Sequence, residues 1–203
     1  MNTENNFFPT DPKKIRDTIR LYERAFKGRH YDDGPGKRFL LGPLYLLMGD
    51  TPGALRSYQW YGKKFPDDVP EAFNQLCWVL TLLKSEKMDL AKTKLRELIF
   101  ENLYAIPIFL GEKPKQYPFR HSSNWSELSY IVEGPCDEIF SLWNDSEKSW
   151  IRAEWENPSL KDDITNFIEL RKVLDNTKSI EERGKILEQV GKISLGTQSI
   201  HGG

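Results

Sequence analysis

The sequence contains little of what metal sites and disulfide-rich scaffolds require. Its 203 residues include only two cysteines and three histidines, and the spacing between them fits no zinc site. We therefore expect no bound metal and no cofactor. Cys77 lies in an apolar helical run, where a buried free thiol is the usual state, while a disulfide with Cys136 is the alternative. A free thiol favours a reducing compartment, so we predict a cytoplasmic location.

The sequence also lacks a strong charge of either sign and a long apolar run. The net charge of −1 gives no electrostatic reason to expect a nucleic-acid partner. The longest apolar run, Phe39–Met48, is short and is interrupted by Gly42 and Pro43, so we expect no membrane span. Met1–Pro9 does not have the basic-then-apolar order of a secretory signal. With 38% hydrophobic and 29% charged residues, the composition is typical of a folded, helix-rich protein.

The first half of the chain carries the spacing of amphipathic helices. Asp11-Pro12 is a capping residue followed by the proline favoured in a first helical turn. Apolar residues then recur at intervals of four, three and four, which predicts a helix with one apolar stripe. Gly28–Gly36 interrupts the pattern and predicts a loop.

Four more helices are predicted between residues 37 and 102. Asp68 and Glu71 also have the spacing of a capping box at the start of the third of them. The predicted ranges, which form two consecutive helical hairpins, are Lys37–Met48 with Pro52–Lys64, and Glu71–Leu83 with Lys87–Asn102.

The first of these hairpins carries a recognisable repeat pattern within Pro35–Asp68. The matching residues are Leu41, Gly42, Tyr45, Ala54, Tyr58 and Pro66. In type and spacing they resemble the tetratricopeptide repeat (TPR), although Arg38 replaces the leading aromatic residue. Residues 71–102 resemble a degenerate second unit, in which Val79 replaces the packing glycine. The resemblance implies a stack of helical hairpins that binds another protein or a peptide.

The resemblance also implies that the first helix of each unit lines a concave groove. The candidate contacts in that groove are Phe39, Leu46, Phe73 and Leu80. Both first helices are apolar over most of their circumference, and soluble monomers seldom expose such surfaces. Either flanking segments of the chain or a partner must cover them, and we expect the chain's own segments. Apolar residues at these positions argue against the capture of a peptide carboxylate, for which the family uses Lys, Arg and Asn.

The C-terminal half is rich in aromatic residues and interrupted by prolines. Pro107 and Pro114 prevent one long helix over Ile106–Tyr117. Aromatic residues in this half are either core residues or contact residues, and we favour core for those with helical spacing. Trp125 lies beside the polar run that includes His121, and we regard these two as further candidate binding residues. The predicted helices are 126–133, 135–144, 146–155, one starting at Asn157-Pro158, and one capped by Ser179 with Glu182.

We therefore predict an all-α fold. It comprises a flexible N-terminus at 1–10, an N-terminal helix with two TPR-like hairpins at 11–103, a helical region at 104–195 that packs on this array, and a frayed tail at 196–203. No catalytic motif is present, which favours a non-enzymatic protein-interaction module. Two other hypotheses are a small-ligand-binding protein or enzyme with a pocket between the repeats and the C-terminal half, and a homodimer formed through the apolar groove.

Overall fold

The computed structural model describes residues 8–27, 33–34, 36–119, 126–132 and 136–196, without the side chains of Val132 and Cys136. These residues form helices and no strand, which confirms the predicted all-α fold. The helices are α1 (Pro12–Ala25), α2 (Lys37–Leu47), α3 (Thr51–Lys64), α4 (Ala72–Lys84), α5 (Met88–Glu101), α6 (Ala105–Phe109), α7 (Leu128–Val132), α8 (Cys136–Phe140), α9 (Asp145–Trp155), α10 (Pro158–Asn176) and α11 (Ile180–Leu195).

Side-chain caps define where several helices begin. The Asp11 carboxylate accepts from the backbone N–H of Lys13 at 2.6 Å at the start of α1. The Asn157 side chain accepts from Ser159 N–H at 3.0 Å at the start of α10. Each cap satisfies a backbone donor that the helix itself leaves unpaired, so both predicted starts are confirmed.

The chain divides into two compact units. The first contains the described residues up to Lys94 together with Val132–Asn144. It therefore includes α1–α4, the first half of α5 and the whole of α8. The second contains Leu95–Ile131 and the residues from Asp145 onward. The core of the first unit is built around α2, α3 and α4, where Leu44 and Leu80 are fully buried.

Gly42 determines how closely α2 and α3 approach each other. A Cβ atom at Gly42 would overlap the ring of Tyr58, which is itself buried. Tyr58 in turn stacks on Trp78 of α4, with the ring centroids 4.9 Å apart. A glycine on one helix and two aromatic rings on the next two therefore hold the three helices together.

Asn74 replaces a backbone hydrogen bond that Pro43 removes inside α2. Pro43 has no N–H, so the carbonyl of Phe39 lacks its normal partner in the helix. The side-chain amide of the buried Asn74 in α4 donates to that carbonyl. The backbone carbonyl of Asn74 accepts from the Tyr58 hydroxyl at 3.2 Å. One residue of α4 is thereby bonded to both helices of the preceding hairpin.

One predicted cap is wrong. Asp68 does not cap α4, which begins at Ala72 after Glu71 and has no side-chain cap. Its carboxylate instead accepts from the Arg38 guanidinium at 2.8 Å, and the same guanidinium pairs with Asp33. An ion pair with a distant residue has replaced the local bond that the sequence suggested.

Two other predictions are confirmed. Cys77 is a buried free thiol. Residues 106–117 are not one helix, because α6 ends at Phe109 and the chain then continues without helix to Tyr117.

The second unit is held together through Arg96 near the end of α5. Its guanidinium forms an ion pair with Asp163 of α10 at 2.8 Å and donates to the carbonyl of Ile193 in α11. Phe100, one turn further on, packs against Phe167 with ring centroids 5.1 Å apart. Within the described residues, no helix is long and apolar enough to span a bilayer.

Candidate functional site

A cleft of about 280 Å³ opens in the first unit where α1, α2 and α3 meet. The C-terminal turn of α1 forms one wall, α2 forms the floor, and α3 forms the other wall. We call it the α1–α3 cleft, and its lining residues are Glu23, Phe26, Lys27, Leu41, Tyr45, Gly53, Arg56, Ser57 and Trp60.

Small and large residues alternate on the face of α3 that lines the cleft. Gly53, Ser57 and Trp60 lie at spacings of four and three, so they share a side of the helix. An added Cβ at Gly53 would run into the ring of Tyr45 and the carboxylate of Asp50. The absence of a side chain at Gly53 lets the Tyr45 ring pack directly against α3, and Trp60 lines the cleft further along the same face.

Tyr45 and Glu23 join the floor of the cleft to α1. The Tyr45 hydroxyl donates to the Glu23 carboxylate at 2.6 Å. Partial burial, and then the hydrogen bond and the negative charge of Glu23, raise the pKa of Tyr45 well above its usual range. A raised pKa is consistent with a neutral Tyr45 hydroxyl that donates its hydrogen bond to Glu23.

An aromatic cluster lines the other side of the cleft. Phe26 and Trp60 have ring centroids 4.8 Å apart at a tilt of 49°. Phe65 meets Trp60 edge-on at 5.7 Å. Both Phe26 and Trp60 are only half-buried, so ring surface remains open to the solvent in the cleft. Half-exposed aromatic surface of this kind commonly anchors a partner's side chain.

The rim of the cleft carries two cations. Lys27 and Arg56 are exposed, and the positive charge of Arg56 is close enough to Tyr45 to oppose the upward shift of its pKa. Among the described residues that line the cleft, Glu23 is the one acid, and its carboxylate already accepts a hydrogen bond from Tyr45. The described lining therefore combines partly exposed aromatic surface with two cations and one acid.

Three of the residues predicted for the groove are covered by the chain itself. Leu46, Phe73 and Leu80 are buried, and the ring of Phe8 lies edge-on to that of Phe73 at 6.4 Å. Phe39 is half-buried against Tyr61, with ring centroids 5.8 Å apart. A role for these residues in binding a partner stays a prediction, and for the three buried ones it would require surface that the single chain covers.

The remaining predicted site residues, Trp125 and His121, lie outside the described residues. Among the aromatic residues of the C-terminal half, Trp143 is buried in the first unit and Trp155 in the second. In the second unit, a hollow of about 20 Å³ beside Glu101 and Phe119 has room for about one water molecule, which is too small for a ligand. No group of three His, Cys, Asp or Glu side chains within the described ranges could hold a metal ion.

The sequence patterns did not predict the α1–α3 cleft. Tyr45 was a residue of the repeat pattern, Phe26 belongs to the apolar spacing of the first predicted helix, and Trp60 belongs to neither pattern. The available signal was the row of small residues, Gly53 and Ser57, beside Arg56 and Trp60 on one face of α3. Comparison with known proteins adds no further assignment: no family model, no curated protein and no solved structure matches this chain.

Proposed function

We propose that this protein is a non-enzymatic interaction module with TPR-like helical hairpins, and that its α1–α3 cleft binds a segment of another protein. The observation that carries the proposal is the pairing of open aromatic surface at Phe26 and Trp60 with the cations Lys27 and Arg56. Binding energy at protein interfaces concentrates in aromatic and arginine residues that line such hollows.

The packing of the first hairpin supports the TPR-like part of the proposal. The repeat pattern requires a glycine where the two helices approach most closely, and Gly42 lies against Tyr58 in this way. Ala54, another residue of the pattern, is fully buried in α3. In the second hairpin Val79 is also fully buried, which supports a less regular unit.

The chemistry of the cleft identifies the kind of segment that it would bind. A large apolar or aromatic side chain would fill the space beside Trp60, where its burial and ring contacts are both favourable. A carboxylate close by in the same segment would pair with Arg56, whose planar guanidinium can bind both oxygens. We therefore expect short motifs in which an aromatic or large aliphatic residue lies near Asp or Glu.

A random-peptide display selection on the full chain tests this proposal. Selected peptides are expected to share the motif of an apolar residue near an acidic residue, and Trp60→Ala should abolish their binding. Arg56→Glu should weaken binding at least about tenfold, because a repulsive charge pair replaces an attractive one.

Lys63→Glu is the matched control, since Lys63 is an exposed cation on the same helix that does not line the cleft. It should leave the affinity of the selected peptides nearly unchanged. Selection of no peptide, or equal effects of the substitutions at Arg56 and Lys63, would contradict the proposal.

A small organic ligand is the second candidate for the same cleft. Its volume of about 280 Å³ lies near the lower end of the range for small-molecule sites. A rise in melting temperature with a metabolite, lost in Trp60→Ala, would favour this candidate over the peptide. We propose a cytoplasmic location with either function, because the free thiol of Cys77 suits a reducing compartment.

A further inference from the structure

A row of cations lies along one solvent-exposed face of α1. Its members follow one another at intervals of three, four and four residues, so at 3.6 residues per turn they share an arc of about 80°. The buried residues of the helix, Ile15 and Ile19, lie on its opposite half. We call this set the α1 row, and it consists of Lys13, Arg16, Arg20 and Arg24, all of them exposed.

The α1 row ends at the α1–α3 cleft. Lys27 follows Arg24 by three positions, just beyond the end of the helix, and it lines the cleft. From Lys13 to Arg24 the helix rises about 16 Å, so a straight basic surface of that length begins at the cleft. A segment that is bound in the cleft and leaves it along α1 therefore passes over the row.

Neighbouring acids leave most of these charges unneutralised. Lys13, Arg16 and Lys27 form no ion pair with any residue that the structure describes. Arg20 meets Asp17 only loosely, at 3.7 Å and with both side chains more than half exposed. In α11, by contrast, both lysines pair with a glutamate one turn earlier at 2.7 Å. The α1 row is thus available to anions from outside the chain.

The first turn of α1 also contradicts the usual charge preference of a helix. Lys13 and Lys14 lie there, and that turn contains no acid. The helix dipole disfavours cations at this end, so the two lysines do not stabilise the helix. The first turns of α9 and α11 carry acids instead. Residues that break a local rule without benefit to the fold are typical of functional sites.

The surroundings of the row favour an acidic protein segment over other polyanions. A membrane-binding helix inserts its apolar face, but Ile15 and Ile19 are buried in the fold. Nucleic-acid binding usually draws on an excess of positive charge, and the whole chain has a net charge of −1. The carboxylate of Glu23 in the cleft would also repel a phosphate chain that entered there.

We propose that the partner segment bound in the α1–α3 cleft continues into a run of Asp and Glu residues that lies along the α1 row. An extended chain advances about 3.3 Å per residue, so about five residues cover the row. The apolar residue of this segment is the one that the proposed function places beside Trp60, so the inference rests on that function. Because exposed ion pairs are weak one by one, the row adds affinity mainly at low salt.

Fluorescence anisotropy of a synthetic peptide with the full chain tests the proposal. The probe contains one tryptophan, two glycines and six glutamates. Arg16→Gln with Arg24→Gln should weaken its binding at least about threefold at low salt, and the difference should shrink at high salt, because salt screens exposed ion pairs. A peptide with six glutamines in place of the glutamates should bind the wild type and this variant with equal affinity.

Lys185→Gln with Lys192→Gln is the matched control, since it removes the same two charges from exposed side chains of α11. It should bind the acidic peptide like the wild type. Equal losses in the two double variants, or no gain in affinity from the glutamates, would overturn the proposal. So would tighter binding of single-stranded heptathymidylate, whose six phosphates carry the same charge, because that result would assign the row to nucleic acid.

Trp60→Ala separates the row from the cleft. It should weaken the binding of the acidic peptide in addition to the effect of the Arg16 and Arg24 substitutions, and circular dichroism checks that all variants stay helical. A loss with Trp60→Ala but none with the arginine variant would overturn this inference and leave the proposed function intact. The reverse pattern would contradict the proposed function and, with it, the link between the row and the cleft.

Discussion

At the scale of single residues, the pairing of Asn74 with the carbonyl of Phe39 shows how a local defect became a tertiary contact. Proline in a helix normally costs stability because it leaves a carbonyl unpaired. In α2 that carbonyl is part-buried and lies beside α4, where the Asn74 amide reaches it. The defect at Pro43 thus gives α4 a specific partner on α2.

We predict strong coupling between Asn74 and Pro43. Asn74→Leu should destabilise the protein by about 1–3 kcal/mol, because it leaves the part-buried carbonyl of Phe39 without a donor. Pro43→Ala supplies a backbone N–H at the right place, so it should recover at least about 1 kcal/mol of that loss. Urea unfolding of the wild type, both single variants and the double variant measures the coupling. Additive losses would contradict the shared role of the two residues.

Glu101 provides a pH-dependent prediction at the same scale. Burial raises the pKa of this carboxyl above the usual 4.5. A raised pKa in the folded state means that folding favours the neutral acid. The stability of the folded state therefore falls as the pH rises from 4.5 through the raised value. Glu101→Gln should remove this fall and be more stable than the wild type at neutral pH.

Denaturant unfolding of the wild type and Glu101→Gln across the acid-to-neutral range measures the effect. The two proteins should be closest in stability at the acid end, where the carboxyl of Glu101 is protonated in both the folded and the unfolded state. A difference that stays constant over the whole range would show that ionisation of Glu101 is not its cause.

At the scale of helices, local sequence determined most of the boundaries and long-range contacts determined the exceptions. Asp11 and Asn157 act on amides only a few residues away, so their caps were readable from the sequence. The prediction that Asp68 caps α4 was wrong because its actual partner, Arg38, lies 30 residues away in the sequence. The α1–α3 cleft was missed for the same reason, since it needs Tyr45 and Trp60 on different helices and Glu23 on a third.

We predict that Asp50 is the cap that fixes the turn between α2 and α3. Its carboxylate accepts from Gly53 N–H at 2.8 Å. Asp50→Ala should therefore cost about 1 kcal/mol in thermal or urea unfolding. Asp50→Asn keeps the acceptor and should cost much less. Equal losses in both variants would indicate that the negative charge at the helix start matters more than the cap.

At the scale of the whole molecule, the two units do not follow the order of the sequence. The short helix α8 belongs to the first unit, where it packs against α4, although more than fifty residues separate them. Helical periodicity predicted a helix near residues 135–144 but carried no information about its neighbour. Which elements pack together depends on shape and burial across the whole chain, and a single sequence does not reveal them.

Ile139 and Ile151 make this division testable. Both isoleucines are 0% exposed, and both lie on adjacent helices, yet Ile139 belongs to the first unit and Ile151 to the second. Replacing either with alanine should cost about 2–5 kcal/mol through lost burial and a cavity. Because local unfolding follows cooperative units, each substitution should lower the local stability mainly of the unit that contains it.

Hydrogen–deuterium exchange distinguishes the two variants. Ile139→Ala should speed the exchange of amides in α4, which packs on α8, and leave those in α10 near wild-type rates. Ile151→Ala should do the reverse, because α9 packs on α10. If either substitution accelerated exchange equally in α4 and α10, the two units would open as one cooperative body, and the separate assignment of α8 and α9 would have no energetic meaning.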